Sequence, residues 1–116
     1  MARIKTEPIV TAQLALVGNF TTLFTVPANC TARINLTACN DDDASAVTFS
    51  IFKVPSAGSP GPTNLVINQK MLSEKDSYPC PELLGLVFGP GETLQGNASV
   101  ATQVTITGGY IQYTRA

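Results

Sequence analysis

The sequence predicts an all-β fold, an antiparallel β-sandwich of the jelly-roll type with about eight strands. Apolar and polar residues alternate with period two in several segments, as they do in half-buried strands. These segments recur roughly every 8 to 12 residues and are bounded by Gly, Pro and Asn. The sequence contains no convincing helical pattern and no internal repeat. With 116 residues the chain has room for one domain.

The segment from residue 23 to residue 55 organises the prediction. Residues 31–37 alternate strictly between apolar and polar side chains, and residues 47–51 repeat the pattern with β-branched and aromatic residues. Between them lies the acidic turn 40–43, whose side chains can hydrogen-bond nearby backbone groups. We therefore expect a long antiparallel hairpin, with the other strands added around it.

The N-terminal residues 1–10 mix charges with Thr and Pro and show no clear period, which predicts an extended arm ahead of a single domain at 11–116. Two interpretations remain open: the arm is disordered, or it lies along a neighbouring subunit. The remaining strands are expected within residues 11–16, 20–26, 64–71, 83–88, 93–100 and 104–113.

Two Gly-rich or Pro-rich segments carry further expectations. Residues 55–63 predict an exposed loop, which either binds a partner or crosses between the two sheets. Gly108-Gly109, in the middle of the last strand, predicts a bulge or a close approach of two backbones. Leu83 to Phe88 is almost continuously apolar, which suits a strand covered on both faces.

The composition favours an assembly component. Only 13% of residues are charged, about half the usual share in soluble domains, while 44% are hydrophobic. Few charges are available to cover the surface of a small domain, so we expect other subunits to cover part of it; the alternative is that Thr, Asn, Ser and Gln solvate it. A net charge of −1 argues against nucleic acid as a partner. No apolar run approaches the roughly 20 residues that span a bilayer, and no signal peptide is evident, so we expect a protein made in a cytoplasm without a membrane partner.

The sequence contains few residues in a pattern typical of catalysis. Histidine is absent, which removes the commonest general base and imidazole metal ligand. The acids fall in expected turns or at strand ends, and no phosphate-binding glycine loop is present, so we expect no enzyme, no cofactor and no metal. The acidic run Asp41 to Asp43 fits a solvated turn better than a calcium loop, because it lacks the calcium-loop spacing. Cys30, Cys39 and Cys80 lack metal-binding or disulfide spacing and are expected to be free, packed thiols.

Several motifs resemble those of small virion proteins of tailed bacteriophages, and together they cover about residues 9 to 111. The motifs are Leu23-Phe24-Thr25-Val26-Pro27, Thr31-Ala32-Arg33-Ile34, Cys39-Asn40, Val47-Thr48, Ile51-Phe52-Lys53-Val54-Pro55, Pro81-Glu82-Leu83, Leu86-Val87-Phe88 and Gly91-Glu92. One departure is Asn29, where those proteins usually have Gly; Asn tolerates a left-handed backbone, so we expect the turn to be kept.

The resemblance implies a jelly-roll protein, often trimeric, that decorates or cements an icosahedral capsid or sits in a tail or fibre base. We therefore expect a cement protein on the capsid surface of a virion, a homotrimer that binds the major capsid protein. Its oligomer interface is assigned to Leu23, Phe52 and Val54, and its capsid contact to the arm residues Arg3, Ile4, Lys5, Pro8 and Ile9.

Two alternatives stay open. One is a structural component of the tail, neck or fibre base, which differs from cement only in location. The other is a receptor-binding or glycan-binding module of a fibre. The second is weakened by the absence of Trp and the presence of only three Tyr, since sugar-binding surfaces usually expose aromatic rings.

Overall fold

The computed structural model describes residues 3–41 and 45–114, which form nine strands and two short 3-10 turns without an α-helix in those ranges. The strands are β1 Arg3–Gln13, β2 Ala15–Leu16, β3 Thr21–Thr25, β4 Cys30–Asn40, β5 Val47–Val54, β6 Leu65–Leu72, β7 Ser77–Tyr78, β8 Thr93–Ala98 and β9 Val104–Thr114. The 3-10 turns are Pro62–Asn64 and Pro81–Leu83. This jelly-roll-like β-sandwich confirms the predicted fold class.

The strands form two sheets. The first sheet has the order β1-β9-β4-β7 and is antiparallel throughout. The second sheet has the order β2-β8-β5-β6, and β3 pairs with β8 next to the short parallel pairing of β2. Both sheets contribute the buried side chains between them, so one apolar core joins the two layers.

The alternation in β4 was predicted correctly and determines which side chains reach the core. Ala32, Ile34 and Leu36 are buried, whereas Arg33 and Asn35 between them are exposed. On the second sheet Phe49 and Ile51 belong to the same core cluster. The period-two pattern therefore gives each sheet an inner and an outer face.

The predicted hairpin between residues 23 and 55 is wrong, because β4 and β5 lie in different sheets. Strand β4 pairs with β9 and β7, and strand β5 pairs with β6 and β8. Both edges of each strand are thus occupied by other partners. The connection between β4 and β5 is an arch across the sandwich, and two facing sheets produce the same alternation as a hairpin.

The Asn40 side chain forms hydrogen bonds that stabilise the start of this arch. Its side-chain amide donates to the carbonyls of Ser45, Leu72 and Ser73 at 3.0, 3.2 and 3.1 Å. Its Oδ1 accepts a hydrogen bond of 3.0 Å from Nε2 of Gln103, and Asn40 itself is almost completely buried. The amide therefore joins the end of β4 to the end of β6 and the segment before β9. Asp42 and Asp43 of the acidic turn lie outside the described residues.

The N-terminal segment pairs with its own chain. Strand β1 runs without a break across residue 10 and is antiparallel to β9 from Arg3↔Thr114 to Gln13↔Thr105. A bulge lies between Ile9 and Ala12. Since β1 has β9 on one side only, it is the edge strand of the first sheet. Contact between this segment and another protein stays a prediction.

The glycine pair in β9 is explained by a close approach. The ladder between β4 and β9 runs in unbroken register past Gly108 and Gly109, so β9 itself is regular there. A Cβ on Gly108 would overlap the carbonyl oxygen of Asn35 in the neighbouring strand. The prediction of a close backbone approach is confirmed, and the bulge lies on β1 instead.

The predicted strand at residues 83–88 is wrong. Its start belongs to the 3-10 turn Pro81–Leu83, and Gly85 then takes a φ of +85°, which breaks any extended run. Phe88 alone forms an isolated bridge to Ala32. Leu84 and Val87 are exposed, so the apolar run is split between core and surface.

Three local features bear on smaller expectations from the sequence. Residues 55–63 form an exposed loop as predicted, but the loop joins β5 to β6 within one sheet, so a crossover between sheets is wrong. Asn29 has a φ of +62°, which confirms the left-handed turn. The three cysteines are free; Cys30 and Cys80 are buried and Cys39 is partly buried.

Candidate functional site

Among residues 3–41 and 45–114, no group of three or more His, Cys, Asp and Glu side chains is placed to hold a metal ion. Burial and the nearby Glu82 carboxylate raise the pKa of the Cys80 thiol to about 11, which lowers its reactivity as a nucleophile. No helix within these ranges is long and apolar enough to span a membrane.

Sheet register brings one side of the three long strands together. Because the even residues of β4 are buried, its odd residues and their partners on β9 and β1 point away from the core. The first-sheet outer face, as we call it, comprises Thr31, Arg33 and Asn35 of β4, Tyr113, Ile111 and Gly109 of β9, and Ile4, Thr6 and Pro8 of β1.

This face is nearly uncharged. Arg33 carries the only charge in the set just named. Ile4 is 70% exposed and stands directly across from Tyr113, which is 38% exposed. The strands are 11 residues long, so the face offers an extended surface with two large apolar side chains at one end. Such a surface is suited to a protein partner.

The charged residues of β1 point to the other side of the sheet. Glu7 and Lys5 form an ion pair of 3.3 Å, and Glu7 also accepts a hydrogen bond of 3.0 Å from the hydroxyl of Tyr110. Partial burial and this carboxylate raise the pKa of the Tyr110 hydroxyl. The charges of β1 are therefore segregated from the first-sheet outer face.

The structure divides the predicted capsid-contact residues into three groups. Ile4 and Pro8 lie on the first-sheet outer face, whereas Arg3 and Lys5 point to the opposite side. Ile9 is only 5% exposed and belongs to the core. Sequence reasoning did not select Tyr113 and Ile111, although their alternation with Gln112 in β9 was a usable signal.

The residues predicted for the oligomer interface are covered by their own chain. Leu23, Phe52 and Val54 are 8%, 7% and 1% exposed. Phe52 lies outside the core cluster and packs edge-to-face against Phe20, with ring centroids 5.3 Å apart. A contact between protomers through these three side chains stays a prediction, with little exposed surface to make it.

Lys53 of β5 forms an ion pair within its own chain. Its Nζ lies 3.2 and 3.0 Å from Oε1 and Oε2 of Glu92. Oε1 of Glu92 also accepts from the backbone N–H of Gly89. The pair closes the turn before β8 and leaves no unpaired charge at this point of the second sheet.

A second feature is a groove of about 510 Å³ on the outer side of the second sheet. Interior strands β5 and β8 supply its floor, and the turn before β3 and the loop before β6 supply its sides. Its lining residues are Val17, Phe20, Thr48, Phe49, Ser50, Phe52, Pro60, Gly61, Pro62, Leu65, Asn68, Gln69, Asn97, Ala98 and Ser99. We call it the second-sheet groove; none of its lining residues is charged.

Comparison with known proteins supports the fold. No family model and no curated protein matches the sequence. A subunit of the disulfide-linked pili of Bacillus endospore appendages superimposes with a TM-score of 0.55 at 13% identity, covering 100% of this chain and 92% of that one. At this identity the likeness concerns the fold alone.

Two viral structures are similar to a lesser degree. The capsid structure of Helicobacter pylori bacteriophage KHP30 gives a TM-score of 0.46 at 9% identity, with 99% of this chain and 94% of that chain covered. A particle of infectious bursal disease virus gives 0.48 at 12% identity, and this chain spans 31% of that protein's length. Fold and surfaces together define a jelly-roll-like sandwich with two candidate interaction sites.

Proposed function

We propose that this protein is a structural component of a bacteriophage virion, a cement protein that binds the outer capsid surface and stabilises the shell. The observation that carries the proposal is the first-sheet outer face, a long and nearly uncharged surface that ends at the exposed pair Ile4 and Tyr113. The virion setting rests on the motif resemblance, and the assembly role on the shortage of charged residues.

In this proposal the chain acts mechanically. The sheet face can lie against the capsid over a large area, and the N-terminal strand β1 supplies its exposed rim. The protein assembles as a homotrimer, so three weak contacts to the major capsid protein act together and add avidity. Internal pressure from the packaged genome is then shared between neighbouring capsid subunits.

The decisive variant is Ile4→Arg, which places a charge on the exposed apolar rim without entering the core. Met71→Arg is the matched control, because Met71 is 65% exposed on β6 of the other sheet. Co-sedimentation with capsids that lack the protein should show binding by the wild type and by Met71→Arg, and strongly reduced binding by Ile4→Arg. Equal binding by all three contradicts the assigned face.

Copy number separates the cement role from the tail and fibre alternatives. Quantitative gel or mass analysis of purified virions should give hundreds of copies for a cement protein, whereas a dozen or fewer places the protein in the tail, neck or fibre base. Light scattering of the isolated protein tests the trimer. A monodisperse monomer that does not bind capsids overturns the proposal.

A further inference from the structure

The second-sheet groove has the size and chemistry of a ligand site. Its volume of about 510 Å³ lies within the range of about 300–1,000 Å³ that small-molecule pockets occupy. Phe20, which is 40% exposed, presents an aromatic ring there and is held by edge-to-face contact with Phe52. Pro60, Pro62 and Leu65 supply further apolar lining.

Polar groups with remaining hydrogen-bonding capacity line the same groove. Oγ of Ser50 accepts from the backbone N–H of Gln69 at 2.9 Å, and Oγ of Ser99 accepts from that of Thr48 at 3.0 Å. Each hydroxyl keeps its own hydrogen to donate. Nδ2 of Asn97 donates to a backbone carbonyl, which leaves its Oδ1 to accept.

These features restrict the class of ligand. The groove contains no charged side chain, so nothing in it would offset the desolvation of a phosphate, a nucleotide or an acidic peptide. A purely apolar ligand would bury the hydroxyls and amides of the lining without partners. The ligand must therefore be neutral, rich in hydrogen-bonding groups and partly apolar.

A peptide fits the groove less well than a sugar does. Extended peptides bind chiefly by pairing with a free strand edge. The floor strands β5 and β8 have neighbours on both sides, so their backbone groups are already paired. The edge strand β6 also lines the groove, but it pairs with β5 on the side of the floor, so its free edge faces away from the floor. A sugar ring needs no strand edge, because its hydroxyls bond to side chains and its C–H face packs on an aromatic ring.

We propose that the second-sheet groove binds a short neutral oligosaccharide, with Phe20 as the packing platform and Ser50, Asn97 and Asn68 as hydrogen-bonding partners. The site lies on the opposite side of the sandwich from the first-sheet outer face. It does not rest on the proposed capsid role. A protein that used both surfaces would hold a shell with one face and touch glycans with the other.

The test is a titration of the isotope-labelled full chain with maltotriose, cellotriose and N-acetylated chitotriose, followed by amide chemical shifts. At least one probe should shift amides of the groove with saturation. Phe20→Ala should weaken that binding about tenfold, which corresponds to about 1.4 kcal/mol. Asn68→Ala, at an exposed position, should weaken it several-fold without affecting the fold. Met71→Ala, on the same strand outside the groove, should bind as the wild type does.

Three results overturn the proposal. The first is the absence of shifts with every probe. The second is a set of shifts that Phe20→Ala and Asn68→Ala leave unchanged. The third is a change of the groove signals with protein concentration alone, which assigns the groove to a second copy of the chain. The Ile4→Arg variant should keep saccharide binding while losing capsids, so failure of one proposal is distinguishable from failure of the other.

Discussion

Replacing Asn40 by Asp tests the arch between the sheets with almost no change in side-chain shape. The two N–H groups of the Asn40 amide are shared among three backbone carbonyls, and a carboxylate would place a negative oxygen against those carbonyls instead. The hydrogen bonds of two N–H groups, at about 0.5–1.5 kcal/mol each, together with the burial of a negative charge, give an expected destabilisation of about 3 kcal/mol at neutral pH.

The destabilisation caused by Asn40→Asp should depend on pH. Burial and the facing carbonyls should raise the pKa of the new carboxyl in the folded state above its unfolded value of about 3.9. A raised pKa means that the neutral form is favoured in the fold. The loss of folding stability should therefore be largest above the pKa of the folded state and should decrease as the pH falls through that value.

Urea unfolding of the wild type and the variant across a pH series measures both effects. Asn68→Asp is the control, because it makes the same chemical change at an exposed position of β6 and should alter stability little. A neutral-pH difference below about 1 kcal/mol for Asn40→Asp would refute the role assigned to the amide. A difference that stays constant with pH would refute the electrostatic part of the reasoning.

Three further predictions concern the backbone and the thiols. Gly108→Ala should cost about 1–3 kcal/mol in urea unfolding, because its Cβ would overlap the neighbouring strand, whereas Gly61→Ala has open space and should be nearly neutral; equal effects would contradict the close approach. Asn29→Val should destabilise by about 1–2 kcal/mol and Asn29→Gly should not, since the φ is +62°; a tolerated Val would contradict this. Cys80 should resist alkylation in the native protein while Cys39 reacts, and stability should fall as the pH rises from 9 towards 11, because the folded pKa is raised; prompt native labelling of Cys80 would contradict its burial.

Local sequence patterns predicted much of the fold. The alternation in β4 identified its buried residues, because burial along one strand depends on neighbours along the chain. The left-handed conformation of Asn29 was expected from the resemblance to the phage proteins, which usually have Gly at this position. Strand partners do not depend on neighbours alone. The arch between β4 and β5 was predicted as a hairpin, because alternation shows which residues of a strand share a face but does not show which strands pair with each other.

The candidate site shows the same limit. Leu23 and Val54 were assigned to the oligomer interface, yet the completed sandwich buries both. Ile4 was selected as part of an arm, and only the register with β9 places it beside Tyr113. Phe20 and Asn97 are far apart in the sequence, so no local pattern could bring them to one groove.

The pairing of Arg3 with Thr114 has a mechanical consequence for any particle that carries this protein. In an antiparallel ladder these partners sit at the same end, so a force pulling the two residues apart would peel β1 from β9 one rung at a time. Peeling breaks the hydrogen bonds one at a time. It therefore needs a lower force than sliding the two strands past each other, which loads all of the hydrogen bonds at once. An attachment that pulled Arg3 and Thr114 in opposite directions would therefore fail at low force, whereas one that loaded β1 and β9 along their length would resist a higher force.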